Sequence, residues 1–143
     1  MHLKKLLLYS VLLTGNILFG CSNNQQADNN VILIPQVQQL KYQSGSLSIA
    51  NLKTVNCNDE WKDITSNFIK DLNNTSSLLL NISQDLSADI IIKKNNELTD
   101  ENYSLKVNSS NIELQAGTNQ GLARALSTLH QLIITAENGT LPN

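Results

Sequence analysis

The apolar residues change period along the chain, and that change limits the folds open to it. Trp61, Ile64, Thr65, Phe68, Ile69 and Leu72 recur at helical spacing, as do Leu122, Leu126, Leu129, Ile133 and Ala136. Before and between these stripes lie short runs of β-branched and alternating residues that read as strands. A helix with one apolar stripe and a strand with an apolar face must bury those surfaces against each other. The order strands, helix, strands, helix therefore predicts an α+β fold: a mixed or antiparallel β-sheet with two helices packed on one face.

The helices carry their own boundary signals. Asn58 or Asp59 is placed to cap a helix over Asp59–Asn73, because short polar side chains accept from the open amides of a first turn. Thr118 or Asn119 is placed to cap a second helix over Asn119–Ala136, which Glu137-Asn138-Gly139 ends. Gly121 and Ala125 lie one turn apart on that helix, so a neighbouring backbone can approach closely there. The acidic tract Asp59, Glu60 and Asp63 reads as a solvated first turn favoured by the helix dipole.

Strands are expected at Val31–Ile34, halted by Pro35, and in a hairpin of Leu40–Tyr42 with Ser46–Ile49 across Gln43-Ser44-Gly45. Thr54–Cys57 reads as another short strand. The continuous apolar runs Leu78–Ile82 and Ala88–Ile92 predict strands buried on both faces near the centre of the sheet. Tyr103–Val107 and Ile112–Ala116 alternate cleanly across Asn108–Asn111, predicting a hairpin with one wet face.

Composition narrows the function classes. In 143 residues, 41% are hydrophobic and the net charge is -2, which fits a globular chain and neither a disordered one nor a nucleic-acid binder. Aromatics make up 4%, too few for a sugar- or base-stacking platform. The many Asn pairs, such as Asn73-Asn74 and Asn95-Asn96, read as the compositional mark of an AT-rich genome. His2 and His130 are the only histidines and no CxxC or HxxxH spacing occurs, so neither a metal site nor a cofactor is expected.

The first residues read as a leader rather than as part of the fold. His2, Lys4 and Lys5 precede the apolar run Leu6–Leu13, which Thr14, Gly15 and Asn16 interrupt before it is long enough to cross a bilayer. Leu18-Phe19-Gly20-Cys21 resembles a bacterial lipoprotein cleavage motif, with Phe19 bulkier than usual at its position. The resemblance implies a signal peptide over residues 1–20, lipidation at Cys21, and a flexible polar tether over residues 21–30. Ser22 after the Cys implies the outer membrane, facing the periplasm or the cell surface. With Cys21 lipidated, Cys57 has no disulfide partner and is expected as a buried, inert thiol.

Residues 31–143 resemble the N-terminal, non-catalytic domain of glycoside hydrolase family 20. Glu101-Asn102-Tyr103-Ser104-Leu105 with Ile112-Glu113-Leu114-Gln115-Ala116 is similar to that domain's E-x-Y-x-L…I-x-I-x-A hairpin. The run Gly121 to Leu132 is similar to its G-x-x-R-[GA]-x-x-T-[LF]-x-Q-L helix at every defined position. Ile34-Pro35-Gln36 resembles its opening I-P-x-P, with Val37 in place of the second Pro. Leu141-Pro142 falls where the family turns toward its catalytic barrel. Three short motifs in order specify more than any one alone.

The resemblance implies a β-N-acetylhexosaminidase that releases terminal N-acetylhexosamine residues from glycans by a substrate-assisted mechanism. In it an adjacent Asp-Glu pair orients the substrate's acetamido group and protonates the leaving oxygen. Asp59-Glu60 and Asp100-Glu101 stand in the wrong contexts for that pair, and a (β/α)₈ barrel needs about 250 residues. The expectation is a support domain without catalytic residues, whose partners are the missing catalytic barrel and, through the lipid, a membrane. Thr128 and Gln131 are expected to meet backbone carbonyls or that next domain, and His130 to be an exposed or interface histidine. The alternatives are a stand-alone module binding glycans or protein through the sheet face, or a domain from the O-GlcNAcase and hyaluronidase type of glycosidase.

Cys21→Ser is expected to abolish metabolic labelling with palmitate and to release the protein from membranes, because one short apolar segment holds a bilayer poorly. Undiminished labelling would exclude Cys21 as the acceptor.

Overall fold

The computed structural model describes Gln39, Lys41 and residues 44–143. The leader, Cys21, the tether, the Ile34-Pro35 motif and most of the 40–42 arm lie outside the described residues. The elements are β1 (Ser46–Ser48), β2 (Thr54–Asn56), α1 (Lys62–Thr75), β3 (Asn81–Ile82), β4 (Ile90–Lys94), β5 (Tyr103–Val107), β6 (Ile112–Ala116), α2 (Asn119–Ile134) and β7 (Thr140–Pro142).

Five strands form one mixed sheet in the order β3-β2-β4-β6-β5. The β2–β3, β2–β4 and β4–β6 pairs are parallel and only β5–β6 is antiparallel. Parallel neighbours need crossovers, and α1 supplies one between β2 and β3. The register puts Val55, Ile90, Ile112 and Val107 in one row, with Ile92, Leu114 and Leu105 in the next on the same face. Both helices cover that face. Their stripes bury Phe68, Ile69 and Leu72 from α1, with Trp61 just ahead of it, and Leu122, Leu126, Leu129 and Ile133 from α2.

The helices lie side by side in the same direction. At their starts the Trp61 indole Nε1 donates to Asn119 Oδ1 at 3.0 Å. Toward their ends Thr75 Oγ1 meets His130 Nε2 at 3.0 Å. A buried indole N–H needs a partner, and Asn119 provides it. Helix α1 begins differently from the expectation. Asp59–Trp61 form a 3₁₀ turn ahead of it, and neither Asn58 nor Trp61 makes a side-chain cap bond. The end of α1 is closed by hydroxyls instead: Thr75 Oγ1 donates to Asp71 O at 2.8 Å and Ser76 Oγ to Leu72 O at 2.7 Å. Thr118 caps α2 as expected, accepting from Gly121 N at 3.0 Å.

Ile90, Ile91 and Ile92 of β4 are all buried at the centre of the sheet, as their continuous run predicts. The other apolar run is placed differently. Only Asn81–Ile82 pair, at the sheet edge, and Leu79 is 76% exposed between buried Leu78 and Leu80. The Asn73 side chain explains this. Its Nδ2 donates to Leu80 O at 3.1 Å and its Oδ1 accepts from Leu80 N at 2.9 Å, so the helix takes the hydrogen bonds a longer strand would need.

Leu141-Pro142 also takes part in the fold: β7 pairs antiparallel with β1 in a separate two-stranded sheet, with Leu47 opposite Leu141. Both leucines are buried, which ties the two ends of the described chain together. Asn138 and Gly139, both at positive φ, make the reversal between α2 and β7.

Leu129→Asp is expected to unfold the domain, since a carboxylate at this fully buried position has neither partner nor water. Lys93→Asp should cost no more than about 1 kcal/mol, because it exchanges a solvent-screened ion pair with Glu113 for a like-charge contact at the surface. Far-ultraviolet circular dichroism on both variants checks this, and native-like Leu129→Asp would mean the phase of α2 is wrong.

Candidate functional site

The residues that carry the family resemblance meet in one seam, where the turn before β5 lies against the first half of α2. Gly121, Arg124, Ala125 and Thr128 occupy successive turns on one side of the helix. A Cβ on Gly121 would stand 2.6 Å from Asn102 O, so the backbone of the turn rests directly on the helix. Ala125 is fully buried beside it.

Two side-chain pairs and one side-chain-to-backbone contact hold this approach. Arg124 Nε donates to Glu101 Oε2 at 3.0 Å and Nη2 to Glu101 Oε1 at 3.3 Å, a two-pronged bond at the solvent margin. Inside it, the Tyr103 hydroxyl and buried Thr128 Oγ1 share a 2.7 Å hydrogen bond. At the helix start, Thr118 Oγ1 donates to Asp100 O while it accepts from Gly121 N. Asp100 sits at φ 54, a conformation uncommon without glycine, and this bond helps hold it there. Thr118 holds backbone directly, and the other two contacts join side chain to side chain. Thr128, expected to meet backbone carbonyls or another domain, meets Tyr103 instead.

Each adjacent Asp-Glu pair places its glutamate in an exposed ion pair. Glu101 is engaged by Arg124, and Glu60 accepts from Lys94 Nζ at 2.7 and 2.9 Å across to β4. Cys57 is a free thiol, half-buried against the core rather than enclosed by it. Among the described residues no group of three or more His, Cys, Asp or Glu could hold a metal ion. No helix among them is long and apolar enough to cross a membrane.

A recess of about 550 Å³ opens between α1 and α2 on the side away from the sheet. Ile64, Phe68, Ala123 and Leu126 supply its apolar lining, and Asp71, Thr75, Ser127, His130 and Gln131 its polar part. His130 is half-buried here and faces α1. Thr75 Oγ1 and His130 Nε2 share this hydrogen bond across the helices, which makes the imidazole an interface group between them.

One organising residue left no mark in the sequence. Asp89 Oδ2 accepts from Lys53 N at 2.8 Å, Thr54 N at 2.9 Å and Thr54 Oγ1 at 2.9 Å, joining the starts of β2 and β4. Partial burial pushes this carboxyl up. The Lys53 and Thr54 donors and the Lys53 charge outweigh that effect and hold it below the ordinary carboxylate value. Its partners lie 35 and 36 residues away, and no local pattern marks it.

Glycosyl hydrolase family 20, domain 2, matches residues 30–143. The chain belongs to that family. Solved structures share the fold of this family 20 domain. A mutant of the family 20 exo-β-N-acetylglucosaminidase of Vibrio harveyi is 25% identical with a TM-score of 0.63, covering 74% of this chain and 17% of that one. The β-N-acetylhexosaminidase of Bacteroides fragilis is 20% identical with a TM-score of 0.64, covering 78% and 23%. The chitobiase of Flavobacterium johnsoniae is 21% identical with a TM-score of 0.59, covering 77% and 19%. The family 20 domain described here thus spans about a fifth of the length of these enzymes. No curated protein matches the chain.

Gly121→Val is expected to cost more than about 2 kcal/mol by forcing α2 off Asn102. Thr128→Val should cost about 1–3 kcal/mol by stranding the Tyr103 hydroxyl. Urea unfolding measures both, and an unchanged midpoint for Gly121→Val would contradict the close approach.

Asp89→Asn is expected to lose about 1 kcal/mol at pH 7. The folded-state value of Asp89 is depressed, so its contribution is present above the ordinary value of 3.8 and fades as pH falls through the folded value. The difference between wild type and variant should therefore begin to narrow below about pH 4 and go on narrowing as pH falls, in urea titrations run at several pH values. A constant difference down to pH 2 would contradict it.

Proposed function

We propose that this chain is the N-terminal support domain of a β-N-acetylhexosaminidase, the catalytic work being done by a barrel in the longer enzyme. The family match over residues 30–143 carries this reading. In each adjacent Asp-Glu pair the glutamate is engaged at the surface, Glu60 by Lys94 and Glu101 by Arg124, which is consistent with this reading. The reaction of the whole enzyme is hydrolysis of terminal N-acetylhexosamine residues from glycans. The domain's own part is to present a stable surface beside the barrel. The lipoprotein motif at Leu18–Cys21 supports an outer-membrane anchor through Cys21, which would hold the enzyme where glycans are met outside the cytoplasm.

The purified mature chain is expected to give no hydrolysis of a chromogenic N-acetylglucosaminide above the uncatalysed rate. Turnover that disappears on substitution of Glu60, Glu101 or His130 would overturn the proposal.

A further inference from the structure

No further inference is drawn: the strongest candidate, the recess between α1 and α2 floored by Phe68 and Leu126, is an unpartnered apolar face, and nothing in the structure shows what covers it.

Discussion

The missing side chain at Gly121 is the constraint on which the rest of the structure depends. Because Asn102 O can lie against the helix backbone there, α2 settles close enough to the sheet for Leu122, Leu126 and Leu129 to reach the β4–β6 rows. A bulkier residue would lift the helix at its first turns and open a gap beneath every leucine along it. Close approach also brings Arg124 to Glu101 and Thr128 to Tyr103. The polar pairs do not drive the packing. They satisfy groups that the packing would otherwise strand, and they fix the rotation of the helix about its axis.

The second helix in turn places the first. Trp61 is fully buried, yet its indole N–H finds Asn119 at the start of α2. Lower down, His130 reaches Thr75. Two polar contacts near opposite ends align the helices in parallel, and the apolar stripes fill the space between them and the sheet. Asparagine does much of this work. Asn73 holds Leu80, Asn119 receives Trp61, Asn95 meets Gln115, and Asn108 meets Asn111 across the hairpin loop. The bias toward asparagine therefore has structural uses, whatever its genomic origin.

Among the described residues Glu60 and Glu101 are tied to lysine and arginine, Asp89 to backbone donors, and His130 to Thr75. The seam is a packing arrangement: Gly121, Arg124, Tyr103 and Thr128 together hold one helix on one turn.

What the sequence determined by itself was local. Apolar period located both helices and their buried faces, continuous branching marked β4 as central, and alternation marked the β5–β6 hairpin. Thr118 and the Gly121–Ala125 side were legible for the same reason, since capping and close approach act within a turn or two. Tertiary structure alone decided the strand order, the return of β7 to β1, the shortness of β3 and the role of Asp89. Each of those depends on which distant backbone donors and acceptors are nearest once the core has formed. Asn73 competes for Leu80, and Asp89 finds Thr54, only after the helices and strands have been brought together. Periodicity records which face a residue turns inward; it carries no record of the partner waiting there.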